Sequence, residues 1–368
     1  MESDAPQPTR VPGRDTRRNG LPQERLGEPR SVLLTGGGGY IGCVLVERLL
    51  ARGHRVRVLD RLDWGDGPLS EVADRIELVV ADVRELPPTA LEDIDAVIHL
   101  AGLSNDPTAE FDPEANWEMN AVATERLGRS CVEHRIERLV FASSCSLYDG
   151  LPSGMHHEEA AIEPYGAYAT SKRYAEERLL EMVPEGLCPV ILRNGTVYGR
   201  SPRMRYDLVV NTFVKDALLQ ERLLLHGGGW MWRPLVDVRD VADAMIHSME
   251  SPAELVRGET FNVVHSNYQI RELAMLVAGS VQLLGRSVRL EEVPAPALTR
   301  DYECSNEKLS RVLGFIPRHS VVEAVADLLS SIDLEDRTTL SDPRYYNIRW
   351  LELLNEVKPR IERFGSLL

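Results

Sequence analysis

Four consecutive glycines stand near the start of the chain, between a segment typical of a β-strand and one typical of a helix. Residues 35–42 read TGGGGYIG, so Gly36, Gly39 and Gly42 follow a G-x-x-G-x-x-G spacing. Glycines at these positions allow a tight turn and close approach of a pyrophosphate, to which the start of a helix presents unpaired N–H groups. The segment therefore predicts a dinucleotide-binding turn. Its predicted cofactor-binding residues are Gly36, Gly39, Tyr40, Ile41 and Gly42.

Short apolar runs alternate with longer helical patterns through the first half of the chain. The candidate strands are SVLLTG, RVRVLD, IELVVAD, AVIHLAG and RLVFASS, and PVILRNGTVYG is a sixth. Helices are predicted over about 114–135 and 168–183, where apolar residues recur at helical spacing. Strands that alternate with helices form parallel sheets. We therefore predict the α/β class, with a Rossmann-type doubly wound parallel sheet.

The alternation becomes irregular after about residue 200, which predicts a smaller, discontinuous α/β lobe for the substrate. The first 30 residues are rich in proline and poor in apolar residues, a composition that cannot offset the entropy cost of ordering. The predicted division is a disordered tail over 1–30, an NAD-binding domain over 31–200 with a return segment at about 235–266, a substrate-binding lobe over 201–234 and 267–335, and a C-terminal helical extension over 336–368.

Composition excludes several classes of protein. The formal net charge of -15 opposes binding to phosphate backbones, so we expect no nucleic acid partner. No segment approaches the roughly 20 apolar residues that cross a bilayer, so we expect no membrane partner. The five cysteines are scattered and have neither zinc-ligand nor disulfide spacing. We therefore expect no metal site and a cytoplasmic location.

Two aspartates at the ends of predicted strands are candidate cofactor contacts. Asp60 ends the second strand, where an acidic side chain can accept hydrogen bonds from the ribose hydroxyls of an adenosine. Its charge repels the 2′-phosphate of NADP, although Arg61 beside it could partly offset this effect. Asp82 ends the third strand and either faces the adenine or caps a helix. The predicted cofactor is NAD.

Three polar side chains predict a redox site on a sugar or alcohol hydroxyl. Ser144 ends the RLVFASS strand, and Tyr168 and Lys172 lie one helical turn apart on the helix that follows. A tyrosine has an ordinary pKa of about 10, but a neighbouring lysine and a nicotinamide charge favour its phenolate. Such a tyrosine can accept a hydroxyl proton while Ser144 holds the same oxygen and hydride leaves for the nicotinamide.

The order of these motifs resembles the extended short-chain dehydrogenase/reductases, specifically the NAD-dependent epimerase/dehydratase family. TGGGGYIG, HLAG, FASSCSLY, YATSK and LRNGTVYG follow one another as in that family, from Ser31 to about residue 330. The resemblance implies a tightly held NAD, a nucleoside-diphosphate sugar as substrate, a homodimer, and catalytic roles for Ser144, Tyr168 and Lys172. It also implies cofactor-binding positions at Val83, Leu100, Ala101, Gly102 and Asn120, the last supporting the active-site helix, together with Asp60, Asp82, Tyr168 and Lys172.

The second half of the chain adds candidate substrate-binding residues. WRPLVDVRDVADA resembles the family segment whose arginine reaches the substrate diphosphate, which implies this role for Arg233. A guanidinium fork matches paired phosphate oxygens. Ser104 and Asn105 follow a strand at its carboxyl end, where ligands collect in doubly wound sheets. The full predicted set is Ser104, Asn105, Ser144, Asn194, Thr196, Arg203, Arg205, Asn211 and Arg233.

Departures from the family pattern bear on the reaction. The sugar 4,6-dehydratases carry an Asp-Glu pair directly after the catalytic hydroxyl residue, and Cys145 and Ser146 stand there instead. Many 4-epimerases have an asparagine where this chain has Thr196. We predict a nucleotide-sugar epimerase that oxidises and re-reduces a hydroxyl, with C4 favoured. A dehydrogenase or ketoreductase is the alternative, then a 4,6-dehydratase, and a non-catalytic NAD-binding scaffold is the alternative outside enzymes.

Overall fold

A seven-stranded, all-parallel sheet forms the centre of the computed structural model, which describes residues 28–295, 300–332 and 340–364. The strands along the chain are β1 (Ser31–Thr35), β2 (Arg55–Asp60), β3 (Ile76–Val80), β4 (Ala96–His99), β5 (Arg138–Ser144), β6 (Met155–His156), β7 (Cys188–Asn194), β8 (Thr196–Tyr198), β9 (Arg222–His226), β10 (Trp232–Asp237), β11 (Glu259–Val263), β12 (Ser266–Gln269), β13 (Arg289–Val293) and β14 (Glu303–Cys304). The order in the central sheet is β11-β7-β5-β4-β1-β2-β3.

Helices cover both faces of this sheet. They are α1 (Tyr40–Ala51), α2 (Asp106–Phe111), α3 (Pro113–Trp117), α4 (Ala123–Glu133), α5 (Ala167–Glu181), α6 (Val209–Leu219), α7 (Val238–Glu250), α8 (Ala253–Val256), α9 (Ile270–Gln282), α10 (Glu307–Leu313), α11 (Val321–Ser331) and α12 (Asn347–Phe364). Val32 and Leu34 of β1 pack into the core on the α1 and α7 side, whereas Leu33 packs into the core on the α4 and α5 side. A strand buried on both faces explains why its sequence is an uninterrupted apolar run.

The order of strands places a crevice at one edge of the sheet. The chain runs outward from β1 to β2 and β3, then returns to the other side of β1 with β4, β5 and β7. The carboxyl ends of β1 and β4 therefore point to the position where the strand order reverses, which is where open α/β sheets bind ligands. The predicted fold class is confirmed, since solved structures of this fold match the chain over most of its length.

Two elements differ from their predicted form. The predicted strand PVILRNGTVYG is two strands, because the chain leaves the central sheet at Gly195 and β8 pairs with β10 in a three-stranded sheet. A Cβ at Gly195 would lie 2.9 Å from the Pro234 carbonyl oxygen, so the crossing requires glycine. The predicted helix over 114–135 is α3, a π-helical turn at Glu118–Val122, and α4.

The remaining elements form the smaller part of the molecule. Helices α6, α9 and α11 pack against one another, and β9 pairs with β13 beside them. These elements lie in the segments predicted for the substrate lobe, whose boundaries stay a prediction. The predicted tail falls almost entirely outside the described residues. Within the ranges described, no helix is long and apolar enough to cross a membrane.

Candidate active site

A cavity opens at the carboxyl ends of β1, β4, β5 and β7. Most of the predicted site residues line it, and four do not: Asp82, Asn120, Asn211 and Arg233. Those that line it are Gly36, Gly39, Tyr40, Ile41, Gly42, Asp60, Val83, Leu100, Ala101, Gly102, Ser104, Asn105, Ser144, Tyr168, Lys172, Asn194, Thr196, Arg203 and Arg205.

The glycine turn has no room for side chains. Gly36 has a φ of +77°, and a Cβ there would lie 2.7 Å from the Ala101 backbone nitrogen. A Cβ at Gly42 would lie 2.2 Å from the Gly36 carbonyl oxygen and 2.6 Å from the Gly37 Cα. Backbone atoms cannot give way as a flexible side chain can, so both positions require glycine. The resulting bare backbone at the start of α1 fits the pyrophosphate of a dinucleotide.

Asp60 faces the cavity at the end of β2. Its two carboxylate oxygens accept hydrogen bonds from the Leu62 N–H at 2.7 Å and the Gly38 N–H at 2.9 Å. Burial raises the pKa of Asp60, and these two hydrogen bonds oppose the shift. The Arg61 guanidinium pairs with Asp63 at 2.7 Å and with Asp82 at 3.2 Å. Because both carboxylates pair with Arg61, its positive charge is not available to bind the 2′-phosphate of NADP. The residues around Asp60 therefore fit NAD.

The Asp82 carboxylate caps a short 3₁₀ turn and does not line the cavity. It accepts a hydrogen bond from the Arg84 N–H at 2.9 Å and from the Arg84 guanidinium at 2.6 Å. Burial acts to raise the pKa of Asp82, but the Arg84 hydrogen bonds outweigh burial and lower it to about 2. Of the two alternatives for this residue, the cap is the one that the geometry matches.

Ser144, Tyr168 and Lys172 meet on one wall of the cavity. The Ser144 side chain and the Asn105 backbone N–H lie close enough to the Tyr168 hydroxyl to act on its pKa. Lys172 Nζ donates to the Ala142 carbonyl oxygen at 3.0 Å and lies 5.9 Å from the centroid of the Tyr168 ring. The end of β5 supplies the serine and α5 the other two side chains, one turn apart. A hydroxyl bound between Ser144 and Tyr168 can therefore exchange its proton with the phenol.

Burial controls the ionisation of this group. It raises the pKa of Tyr168, and the Ser144 hydrogen bond and the Arg205 charge oppose the shift. The cation that opposes burial is thus Arg205, where the sequence suggested Lys172. Burial lowers the pKa of Lys172 to about 8, although the negative charge of Glu176 acts in the other direction. Without a ligand the phenol is neutral at pH 7, and an added positive charge would favour the phenolate.

Asn120 lies behind the cavity wall, in the π-helical turn. Its Nδ2 donates to the Leu103 carbonyl oxygen at 2.8 Å and lies 3.5 Å from the Ser171 hydroxyl on α5. A Cβ at Gly102 would lie 2.3 Å from its Oδ1. These contacts join the loop after β4 to the helix that carries Tyr168. The geometry therefore supports a positioning role for Asn120 and not direct contact with a cofactor.

Arg300 lines the cavity together with Arg61, Arg203 and Arg205, whereas Arg233 does not line it. The Arg233 guanidinium donates to the carbonyl oxygens of Trp232 and Arg300. Arg300 pairs with Asp106 and, at 3.7 Å, with Asp149. The sequence predicted Arg233 at the substrate because the WRPLVDVRDVADA motif contains it, whereas Arg300 follows β13 in a segment without regular structure and without a motif.

Asn211 is also placed differently from its predicted role. Its Oδ1 accepts from the Gly199 N–H at 3.1 Å, and its Nδ2 donates to the Arg205 carbonyl oxygen at 2.9 Å. The side chain is fully buried and fixes the loop between β8 and α6. It therefore holds the loop that carries the two cavity arginines without reaching the cavity.

A family model decides the affiliation of this chain. The model of the NAD-dependent epimerase/dehydratase family matches residues 32–263, which contain the glycine turn and the Ser144, Tyr168 and Lys172 group. The chain belongs to this family. It is accordingly an enzyme that uses NAD.

Individual members of the family resemble the chain over most of its length. A UDP-glucose 4-epimerase of Mycolicibacterium smegmatis is 30% identical over 312 residues, covering 80% of this chain and 96% of the relative. A Thermus thermophilus UDP-glucose 4-epimerase, solved as its complex with NAD, is 27% identical with a TM-score of 0.71 and covers 82% of this chain and all of the other. The protein MoeE5, solved with UDP-glucose and NAD, is 27% identical with a TM-score of 0.70, over 82% and 97% of the two chains.

Several cavity residues of this epimerase/dehydratase family enzyme were not predicted from its sequence. Trp64, Arg300, Tyr302 and Asn347 all line the cavity. Trp64 follows β2 in an irregular loop, and Asn347 begins the C-terminal helix, far from every motif in the sequence. The tryptophan could have been suspected from its place just after Asp60. No local pattern marks Asn347, whose position depends on how the end of the chain packs.

Proposed function

We propose that this enzyme is an NAD-dependent nucleotide-sugar epimerase that inverts a hydroxyl-bearing carbon, C4 by preference, through a transient keto sugar. The observation that carries the proposal is that Ser144, Tyr168 and Lys172 line the same cavity as the glycine turn. This arrangement suffices for removal and return of a hydroxyl proton. The similarity to UDP-glucose 4-epimerases supports a UDP sugar as the substrate.

Each side chain at the site has a separate role in one turnover. Tyr168 takes the proton of the sugar hydroxyl, while Ser144 donates a hydrogen bond to the same oxygen and stabilises its charge. Bound NAD supplies the hydride acceptor for the sugar carbon and later the hydride donor. After the keto sugar turns over in the cavity, Tyr168 returns the proton to the oxygen of the inverted carbon. The positive charge of Arg205, which also lines the cavity, favours the ionised form of the phenol.

The cavity lacks the groups that dehydration needs. Cys145 and Ser146 are both buried, and the Cys145 thiol donates to the Arg193 carbonyl oxygen at 3.1 Å. Among the described residues, the carboxylates that line the cavity are Asp60 and Asp63, which follow β2 at the adenosine end. Elimination of water needs an acid and a base beside the sugar. Epimerisation is therefore favoured over 4,6-dehydration.

Further polar groups that line the cavity fit the rest of a nucleotide sugar. Asn194 is buried and lines the cavity, and its Oδ1 has no hydrogen-bond partner among the described residues, so it can accept from a ligand hydroxyl or amide. We assign the substrate diphosphate to Arg300, with Arg233 as a positioning residue that donates to its carbonyl oxygen. Ser104, Asn105 and Thr196 complete the proposed sugar pocket.

The assembly and location of the enzyme belong to the same proposal. We infer a homodimer in the cytoplasm, as the resemblance to the family implies. All five cysteines are buried thiols, which fits a reducing compartment. Sedimentation of the purified protein would test the dimer.

The cofactor that copurifies separates the candidate reactions. An epimerase regenerates its NAD in each turnover, so we expect NAD at close to one equivalent per chain after gel filtration and acid release. A ketoreductase must exchange its cofactor, so an empty site with a preference for NADPH would overturn the proposal in favour of that reaction. A non-catalytic scaffold would hold NAD but convert no sugar in a panel of nucleotide sugars.

A further inference from the structure

Arg203 is a buried cation that forms no ion pair within the described ranges. The residue is only 3% exposed, and its Nε has no hydrogen-bond partner among the described residues. One Nη donates to the Asn347 Oδ1 at 2.6 Å, and the guanidinium lies over the Trp64 ring, 4.3 Å from a ring centroid. Burial and the nearby Arg205 charge lower the pKa of Arg203 to about 9, although the Asp207 charge acts in the other direction. A charge buried in this way is costly unless an anion joins it.

Arg205, two residues further along the chain, does form an ion pair. Arg205 forms a bidentate pair with Asp207 at 2.8 and 3.0 Å, and it donates to the Ser104 hydroxyl at 2.9 Å. Within the described ranges, no carboxylate oxygen lies within 4.0 Å of the Arg203 guanidinium. Arg205 is therefore neutralised within the protein, whereas Arg203 presents its charge to the cavity that both residues line.

The position of Arg203 indicates which part of a ligand it meets. The loop that carries it packs on the first turn of α1, where the Ser201 hydroxyl donates to the Tyr40 carbonyl oxygen at 2.6 Å. The Arg203 backbone and guanidinium lie close enough to the Cys43 thiol, in the same turn, to act on its pKa. Trp64, on which the guanidinium stacks, lies in the loop after Asp60. Arg203 is thus between the glycine turn and the residues expected to hold the adenosine.

We propose that Arg203 binds the pyrophosphate of NAD together with the glycine turn, and that Asn347 at the start of the C-terminal helix positions its guanidinium. The sequence had suggested a substrate role for Arg203. A planar guanidinium with a free N–H suits paired phosphate oxygens. The Asn347 Nδ2 also donates to Ser104 at 3.0 Å, and Trp350 Nε1 on the same helix donates to the Asp63 carbonyl oxygen. The C-terminal helix therefore completes the cofactor site.

Binding of two probes to the cofactor-free protein tests this assignment. ADP-ribose carries the pyrophosphate and adenosine of NAD, and UDP carries the diphosphate of the proposed substrate. We expect Arg203→Met to weaken ADP-ribose binding roughly 10- to 100-fold, as loss of a charged hydrogen bond predicts. UDP binding should change by less than about twofold. Arg200→Met, which removes an exposed arginine from the same loop, is the control and should leave both affinities unchanged.

Stability distinguishes a ligand-binding role from a structural one. Without ligand, Arg203→Met should melt at or above the temperature of the wild type, because it removes an uncompensated buried charge. Saturating ADP-ribose should then raise the melting temperature of the variant less than that of the wild type. A lower melting temperature of the unliganded variant with an unchanged ADP-ribose affinity would mean that Arg203 only supports the fold, and would overturn the proposal.

A second variant tests the role of the C-terminal helix. Asn347→Ala should weaken ADP-ribose binding by about 3- to 10-fold, because the guanidinium loses the acceptor that orients it. Asn355→Ala, an exposed position on the same helix, is the matched control. Weaker UDP binding with intact ADP-ribose binding in the Arg203→Met or Asn347→Ala variant would place the group with the substrate instead. These readouts measure binding alone, so they stand or fall independently of the proposed epimerisation.

Discussion

Replacement of Tyr168 by phenylalanine should lower kcat by roughly 10²- to 10⁴-fold, the usual contribution of a positioned proton-transfer group. The ring that packs against Lys172 remains, and only the hydroxyl close to Ser144 is lost. The amount of NAD that copurifies should therefore stay the same. Turnover of a nucleotide sugar and the released nicotinamide are measured on the same preparation.

Tyr165→Phe provides the control for this variant. Tyr165 precedes the same helix but is 54% exposed, so the loss of its hydroxyl should change kcat by less than about twofold. If Tyr168→Phe kept activity close to that of the wild type, the proton would have to move through another group, and the assignment of the site would be wrong.

Glu176→Gln should destabilise the protein by about 3–5 kcal/mol, the cost of leaving one partner of a buried ion pair alone. The Arg193 guanidinium donates to both Glu176 carboxylate oxygens, at 3.0 and 2.7 Å, and their side chains are 4% and 1% exposed. The Ser143 hydroxyl donates to the same carboxylate at 2.5 Å. The pair thus joins α5 to β5 and β7 directly beneath Ser144 and Lys172, and the free energy of unfolding is measured by chemical denaturation.

A second ion pair on the same helix serves as the comparison. Arg173 and Glu177 pair at 2.7 Å with side chains 35% and 44% exposed. Glu177→Gln should cost no more than about 0.5 kcal/mol, because solvent screens such a pair. Replacement of both Glu176 and Arg193 by apolar residues should recover part of the loss, since no unpaired charge then remains. Equal effects of Glu176→Gln and Glu177→Gln would show that the buried pair does not anchor the site.

Local chemistry explains which parts of the site could be predicted from the sequence. The glycine turn could be predicted because any side chain at Gly36 or Gly42 would clash with the backbone. Every chain with this turn therefore needs glycine at these two positions, which makes the spacing recognisable in the sequence. Tyr168 and Lys172 could be predicted because residues four apart on a helix share a face. The strand of Ser144 follows from its apolar run.

Contacts between distant segments explain which parts of the site and of the fold could not be predicted from the sequence. Arg300 lines the cavity and Arg233 does not, because the irregular segment of Arg300 packs against β10, a contact for which the sequence carries no period or spacing signal. The same holds for Asn347, which meets Arg203 across 144 positions of the chain. The division of PVILRNGTVYG depends on the close approach of Pro234 to Gly195. An apolar run predicts a strand but not the sheet that it joins.

Retention of the hydride tests the proposed chemistry most directly. The purified protein, with no cofactor added, is incubated with a UDP sugar that carries deuterium at C4, and the C4 epimer is followed by NMR. The account predicts an epimer that keeps the deuterium at C4, because the hydride leaves and returns within one closed site while Tyr168 exchanges only the hydroxyl proton. Deuterium lost to solvent, or turnover only when fresh nicotinamide cofactor is supplied, would contradict it.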